Sequence, residues 1–213
     1  MISPRPLQWW AAAAGILLAT TVWIRATDNG VPVFDHAGLT LANAWRSPGL
    51  DGFFLGLTWI GSLMVLLPLV LAVGIGLWRR GFRGEAGFLV AALLGAALLA
   101  QLLKQFSLRL RPDLFPALTA VASPLSFPSA HAVQVTAAAV SLLLIAVRFS
   151  PNSWRWALPL MLLGVSSVAL SRIYLQVHYP SDVLAGILSA GCWVAGLYSC
   201  LPPSGCRQEA GEP

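Results

Sequence analysis

The sequence predicts an all-α membrane protein, a polytopic bundle of six transmembrane helices, and three observations support this prediction. Of the 213 residues, 57% are hydrophobic and 10% are charged, whereas a soluble domain carries about 25% charged residues. The mean hydropathy is +0.75. Apolar runs close to the ~20 residues that cross a bilayer core recur six times along the chain. They cover residues 7–24, 56–78, 86–103, 132–147, 154–170 and 183–201.

The first run, residues 7–24, is long enough to be confused with a cleaved signal peptide. A cleavage site needs small residues, and Ile24 followed by an arginine fits that need poorly. We therefore expect a retained first helix. We also expect a single domain over residues 1–213, with a flexible tail at 202–213.

Two long connections separate the apolar runs. Within residues 27–54, the stretch 34–45 fits either a short helix in the outer interface, with Trp45 as an aromatic anchor, or an irregular connection. Residues 112–128 contain four prolines and join two of the polar clusters described below.

The lysines and arginines predict the orientation, because cytoplasmic loops carry an excess of them. With the N-terminus inside, seven of the 13 lie on the inner side and six on the outer side. Three of the outer six, Lys104, Arg111 and Arg172, belong to the candidate site described below, which leaves seven against three. Arg79, Arg80 and Arg83 form one dense inner turn. We expect a multi-pass protein of the cell (inner) membrane with cytoplasmic termini and the clusters outside. The net charge of +5 is scattered over helix ends, so no nucleic-acid partner is expected.

The first polar cluster is Lys104-Gln-Phe-Ser-Leu-Arg-Leu-Arg111-Pro112, after the third run. Seven residues at about 100° each return to nearly the same helix face, so Lys104 and Arg111 should point into one outer cavity. Pro112 disfavours helix at the residue before it, so the helix should end at Arg111. Both cations suit phosphate oxygens. The alternative is that both snorkel to lipid headgroups, which is our expectation for Arg109 on another face.

The second cluster, Phe127-Pro128-Ser129-Ala130-His131, stands just before the fourth run. Ser129 suits a helix N-cap, and the free amides of a first turn favour an anion. His131 at the same helix start can donate a proton to a departing oxygen, since imidazole titrates near neutral pH. An ordinary cap followed by an interfacial histidine is the alternative.

The third cluster, Ser171-Arg172 to His178-Tyr-Pro-Ser-Asp182, joins the last two runs. Pro180 is favoured in a first helical turn, so the last helix should begin there. Asp182, four residues after His178, can then face the imidazole, fix its tautomer and leave the other ring nitrogen free to attack. Arg172 adds a third cation. The alternative, a capping aspartate and a buried structural histidine, does not explain why all three charged groups crowd one loop.

Three cations, two histidines and one carboxylate suit phosphoryl transfer, which depends on positioning and charge stabilisation. A two-metal phosphatase needs several carboxylates, and the outer loops near the clusters offer only Asp113 and Asp182. The three cysteines show neither metal-binding spacing nor a disulfide framework. We therefore expect no metal and no other cofactor.

The three clusters resemble the sequence pattern of the type 2 phosphatidic acid phosphatase (PAP2) superfamily: K-x6-R-P, P-S-G-H and S-R-x5-H-x3-D. The resemblance covers about residues 104–182 and implies a metal-independent enzyme whose soluble relatives bind vanadate. It implies a set of phosphate-binding residues: Lys104, Arg111, Ser129 and Arg172. It also implies that His178 becomes phosphohistidine, that Asp182 orients it, and that His131 protonates the leaving oxygen. Ala130 replaces the usual glycine, which matters only if that backbone needs a positive φ.

The resemblance implies a membrane lipid phosphate or pyrophosphate as substrate, and undecaprenyl pyrophosphate is the expectation for a site facing outside. Phosphatidylglycerophosphate, phosphatidic acid, lipid A phosphates and phosphotransfer to another lipid stay open. A lipid transporter or flippase is the alternative of another class, but such proteins place polar residues near the membrane midplane. A catalytically inactive binding protein is a third alternative, and it rests only on Ala130. The oligomeric state is not predicted.

Overall fold

The protein is described by a computed structural model over residues 4–26 and 31–202, so all but the first residue of the predicted tail lies outside the described residues. This part of the chain folds into eight α-helices and two single-turn 3₁₀ helices, Thr58–Gly61 and Pro151–Ser153. The α-helices are α1 Pro4–Arg25, α2 Val33–Ala44, α3 Pro48–Leu57, α4 Leu63–Arg79, α5 Arg83–Ser107, α6 Ala130–Phe149, α7 Trp154–Tyr174 and α8 Pro180–Tyr198.

Several helix starts follow from caps in the sequence. Ser47 caps α3, where its hydroxyl accepts a hydrogen bond from the Leu50 amide, and Ser62 does the same for the Met64 amide of α4. Pro180 is the first residue of α8, as predicted, because its missing N–H has no partner to lose there. The N-cap of α4 at Ser62 also explains why the predicted run 56–78 is broken.

Four helical segments are long and apolar enough to cross a membrane: α5, α6, α8, and α7 with the 3₁₀ turn before it. A fifth span forms if α3 and its 3₁₀ turn are counted with α4, across a bend of 43°. The predicted run 7–24 lies within α1, a 22-residue helix that is not among these spans. The predicted polytopic all-α membrane class is thus confirmed, whereas the count of six spans is not.

Small residues allow α5, α6 and α8 to approach closely at the centre of the bundle, as is typical of membrane helices. Fully buried alanines at these contacts are Ala92, Ala96 and Ala100 of α5, Ala137 of α6 and Ala190 of α8. On the outside of α8, Trp10 of α1 packs against Gly196 so closely that a Cβ there would lie 2.3 Å from the indole nitrogen.

The helix ends that carry the predicted clusters meet at one end of the bundle, beside the bend between α3 and α4. Residues 34–44 of the stretch 34–45 lie within α2 and Trp45 is its C-cap, so the helical alternative is the correct one. This helix packs on the start of α8: a Cβ on Gly38 would lie 2.5 Å from Cγ of Pro180. The segment without an assigned role thus lies directly behind the third cluster.

Candidate active site

A cavity of about 690 Å³ opens where α5 and α7 end and α6 begins, and the bend between α3 and α4 closes one side of it. Five of the seven predicted site residues line it: Lys104, Arg111, His131, Arg172 and His178. Two further lining residues, Trp59 and Met64, are 56% and 77% exposed. The mouth of the cavity therefore carries apolar side chains that face outward from the bundle.

Lys104 and Arg111 share the cavity, but the predicted helix geometry is wrong. Helix α5 ends at Ser107, and Leu108 takes a left-handed conformation (φ 51°) that turns the chain out of the helix. Arg111 lies instead on an irregular connection, where its amide donates to the Pro124 carbonyl at 3.1 Å. Leu108 rather than the proline after Arg111 ends the helix.

Both arginines of the cavity are held by fixed acceptors. The Arg111 Nε donates to the Ser123 carbonyl at 2.7 Å, and its Nη1 donates to the Val177 carbonyl at 2.7 Å. Arg172 donates from Nη1 to the Thr58 hydroxyl at 2.6 Å, so the 3₁₀ turn at the bend positions this cation. Guanidinium groups anchored in this way lose little side-chain freedom when an anion binds.

Lys104 is buried at the end of α5, where its ammonium group donates to the carbonyls of Leu125 (3.0 Å) and Ser126 (3.3 Å). These carbonyls belong to the connection that leads into the second cluster. The lysine therefore ties the connection to the helix and also presents positive charge to the cavity.

His178 is 2% exposed, and its two ring nitrogens face different groups. Nε2 lies 3.2 Å from Nη1 of Arg111, while Nδ1 lies 3.5 Å from Oδ2 of Asp182. An arginine only donates, so this arrangement fits a tautomer with the proton on Nδ1 and a lone pair on Nε2. Burial, and then the positive charges of Arg172 and Arg111, hold the pKa of His178 well below its usual 6.5. The ring is therefore neutral at pH 7.

Asp182 does not line the cavity but lies behind the imidazole, in the first turn of α8. Its Oδ2 accepts the Tyr179 amide at 3.0 Å. The 3.5 Å separation from Nδ1 is longer than a well-formed hydrogen bond, and such contacts often tighten when substrate binds. The sequence prediction that Asp182 can face the imidazole is consistent with this placement.

The second cluster places His131 in the cavity and Ser129 beside it. Ser129 is the N-cap of α6 as predicted, but its side chain makes no capping hydrogen bond, and its buried Oγ has no hydrogen-bond partner. Its amide donates to the Asp182 carbonyl at 3.2 Å. Ala130 is the first residue of α6, and the described non-glycine residues with positive φ are Leu108 and Gln176. The methyl group of Ala130 therefore meets no backbone conflict.

Arg109 is not a snorkelling residue, and that expectation is wrong. Its side chain is 8% exposed and forms ion pairs with Asp35 (2.6 Å) and Asp182 (2.5 Å). The guanidinium carbon also lies 3.8 Å from the centre of the Tyr179 ring. The physical reason is that α2 covers this position and supplies a buried carboxylate, so Arg109 has no need to reach the membrane surface.

Sequence reasoning missed several polar residues near the site. Thr58 and Asp35 are buried in segments without a recognisable motif. Gln101 and Gln134 line the cavity one helical turn from Lys104 and His131 respectively. The signal available for the two glutamines was this spacing of three residues from a predicted site residue within a membrane helix.

Three cations and two histidines around one cavity at the end of a bundle of membrane helices suit phosphoryl transfer. The chain belongs to the PAP2 superfamily, which it matches over residues 85–206. It is therefore a PAP2-type lipid phosphatase of the membrane.

Named relatives cover much of the chain. Phosphatidylglycerophosphatase B of Bacillus subtilis is 32% identical over 176 residues, 80% of this chain and 83% of the relative. Undecaprenyl-diphosphatase of Sulfolobus acidocaldarius is 35% identical over 154 residues, which are 70% of this chain and 68% of the relative. Decaprenylphosphoryl-5-phosphoribose phosphatase of Mycobacterium tuberculosis is 37% identical over 151 residues, which are 60% of this chain and 78% of the relative.

The fold also matches a solved structure. The crystal structure of a transmembrane PAP2-type phosphatidylglycerolphosphate phosphatase from Bacillus subtilis superposes with a TM-score of 0.73. The match covers 92% of this chain and 94% of that chain, at 24% sequence identity. This similarity concerns the fold.

Proposed function

We propose that the chain removes the terminal phosphate of a lipid phosphate or pyrophosphate without a metal, through a phosphohistidine at His178. The observation that supports this most directly is the pair of contacts of the His178 ring: a carboxylate behind Nδ1 and a cation in front of Nε2. A neutral imidazole with its lone pair directed at a cationic cavity is a nucleophile already in position.

Binding would rest on Lys104, Arg111 and Arg172, which line one cavity. A phosphate carries up to two negative charges, so three cations and the N-terminus of α6 would balance it and the charge that develops during transfer. The phosphate would draw Arg111 away from Nε2 of His178, because an anionic oxygen is a stronger acceptor than an imidazole. Ser129 would assist from the helix start, where its hydroxyl has no other partner.

Transfer would proceed in two steps. Nε2 of His178 forms a bond to phosphorus as the bond to the leaving oxygen breaks, and a protonated His131 gives its proton to that oxygen. The imidazole becomes cationic, and Asp182 compensates the charge that it gains at Nδ1. In the second step His131 takes a proton from water, the water oxygen attacks phosphorus, and the N–P bond breaks to release inorganic phosphate.

We propose undecaprenyl pyrophosphate as the substrate, with the site facing outside the cell membrane and the termini in the cytoplasm. The undecaprenyl-diphosphatase among the relatives supports the substrate, and the arginine-rich turn at residues 79–83 supports the orientation. Phosphatidylglycerophosphate is a second candidate, supported by the relative from Bacillus subtilis that matches 80% of the chain. The exposed apolar residues at the mouth suit the chain of either lipid.

The test is phosphate release by the protein purified in detergent, in the presence of EDTA, from a panel of lipids. The panel contains undecaprenyl pyrophosphate, phosphatidylglycerophosphate, phosphatidic acid and lipid A phosphate. The proposal expects the highest kcat/KM with undecaprenyl pyrophosphate, together with an acid-labile, base-stable ³²P label that is absent from His178→Ala. A label that persists in His178→Ala would show that another residue is the nucleophile.

A further inference from the structure

Behind the candidate site lies a chain of three charged side chains, of which the proposed reaction uses only Asp182. Asp35 of α2, Arg109 and Asp182 are joined by two ion pairs, and their side chains are 0%, 8% and 0% exposed. Asp35 comes from a segment more than 70 residues away from Arg109 in sequence. The arginine therefore connects a remote helix to the carboxylate that faces His178.

The hydrogen bonds of Asp182 divide its two oxygens. Oδ1 accepts from Nη1 of Arg109, while Oδ2 accepts the Tyr179 amide and faces Nδ1 of His178. With Oδ1 held by a cation on one side, rotation of the carboxylate would break a charge-assisted hydrogen bond. Arg109 thus determines which oxygen faces the imidazole and favours the ionised form of the carboxylate.

Asp35 in turn holds Arg109 and the start of α8. Its Oδ2 accepts from Nη2 of Arg109 (2.6 Å) and from the Ser181 hydroxyl (2.6 Å), and its Oδ1 accepts the Ser181 amide at 2.8 Å. The Gln176 side chain donates to the Leu39 carbonyl of α2 at 3.0 Å. Helix α2 therefore forms hydrogen bonds with residues on both sides of His178, Gln176 before it and Ser181 after it.

We propose that Asp35 and Arg109 are positioning residues for catalysis: Arg109 orients Asp182 toward His178, and Asp35 fixes Arg109. The proposal rests on the nucleophilic role proposed for His178. It also gives α2 a function, because this helix then supplies the carboxylate that holds Arg109 against Asp182. Neither residue lines the cavity, so both should affect the rate of transfer rather than the binding of phosphate.

The alternative is that the network only stabilises the fold. Buried ion pairs are weak contributors to stability, because desolvation offsets much of the attraction. The chain offers a matched control in the pair Arg148–Glu85, which has side chains 8% and 2% exposed and an Nε–Oε1 distance of 3.0 Å. That pair lies at the opposite ends of α6 and α5 from the cavity.

The experiment compares Asp35→Asn with Glu85→Gln in the full-length protein in detergent. Each replacement removes one charge from a buried pair and keeps the side-chain shape. We measure the thermal midpoint, kcat and KM, the inhibition constant of inorganic phosphate, and the rate of ³²P-phosphoenzyme formation. For Asp35→Asn we expect a fall in kcat and in the phosphorylation rate of about 10- to 100-fold, by analogy with the hydrogen-bond partners of metal-ligating side chains. KM and phosphate inhibition should stay unchanged.

A double-variant cycle distinguishes positioning from folding. If Asp35 acts through Asp182, adding Asp35→Asn to Asp182→Asn should cause no further fall in the phosphorylation rate. Arg109→Lys, which keeps the charge but loses the fork, should show the same selective loss in kcat and serves as the test if Asp35→Asn does not fold.

Two results would overturn the inference: a kcat for Asp35→Asn equal to that of Glu85→Gln at a similar thermal midpoint, or additive losses in the cycle. These results are distinct from failure of the proposed function. The position of the ³²P label in the wild-type protein tests the proposed function separately. A label on a residue other than His178 would show that His178 is not the nucleophile, whatever the variants of Asp35 and Arg109 do.

Discussion

Replacing Asp182 by asparagine most directly tests the proposed roles of the two ring nitrogens of His178, in which Nδ1 faces the carboxylate and Nε2 attacks phosphorus. In the structure both carboxylate oxygens accept hydrogen bonds, Oδ1 from Arg109 and Oδ2 from the Tyr179 amide. An asparagine keeps one oxygen, and the charge-assisted bond to Arg109 is the stronger of the two. Its NH₂ group would therefore take the place of Oδ2, beside the Tyr179 amide and 3.5 Å from Nδ1 of His178.

This orientation reverses the hydrogen bonding of the imidazole. An NH₂ group donates to Nδ1 and so favours the tautomer with the proton on Nε2, which removes the lone pair that faces Arg111. The same replacement in a Ser-His-Asp triad lowers kcat about 10⁴-fold through the wrong tautomer, equivalent to about 5 kcal/mol in the barrier. The lost hydrogen bond of the Tyr179 amide should also cost about 1–3 kcal/mol of stability.

The assay is single-turnover phosphorylation with ³²P-labelled lipid, together with steady-state kcat and KM. We expect kcat and the phosphorylation rate of Asp182→Asn to fall about 10⁴-fold, with KM nearly unchanged because the cations are untouched. Asp113→Asn, at an exposed position on the adjoining connection, serves as the control and should retain full activity. A loss below tenfold in Asp182→Asn, or a loss confined to KM, would refute the reasoning.

Four further predictions follow from the same geometry. If fixed cations hold the phosphate as proposed, turnover should survive EDTA and vanadate should inhibit it; an activity restored only by Mg²⁺ would contradict this. His131→Ala should slow turnover of phosphatidic acid more than that of undecaprenyl pyrophosphate, whose leaving group needs a proton less, and equal losses in both would exclude the acid role. The lowered pKa of His178 predicts that its ¹³Cε1 NMR signal in detergent keeps the neutral position as pH falls through 6.5, and a midpoint near 6.5 would contradict its charged and buried surroundings. In a cysteine-free background, a cysteine at Ala117 should react with an impermeant thiol reagent in whole cells and one at Gly81 should not, and the opposite pattern would reverse the proposed orientation.

Local sequence signals predicted the helices well where a run of apolar residues was bounded by a cap. Pro180 marks the start of α8, and Ser129 marks the start of α6. The same signals failed at the predicted second span, because the serine at position 62 starts a new helix after the 3₁₀ turn. The spacing of apolar residues does not distinguish a continuous helix from one that bends.

The residues of the cavity were found because they are charged groups within apolar surroundings. Arg109 and Arg111 show where this reasoning ends, since they lie two residues apart and carry the same charge. Only the left-handed turn at Leu108 and the arrival of Asp35 from α2 send one arginine to the carboxylates and the other to the cavity. No local sequence pattern around Asp35 predicts its ion pair with Arg109, because tertiary packing brings the two residues together.

The exposed Trp59 and Met64 at the mouth of the cavity affect how the enzyme's kinetics must be measured. A substrate that reaches the site past these side chains arrives by diffusion within the lipid layer, and its concentration there is a mole fraction rather than a molarity. At a fixed amount of substrate, adding inert detergent or phospholipid should therefore slow turnover by surface dilution. Apparent KM values from preparations with different lipid contents become comparable only when expressed per mole of total amphiphile.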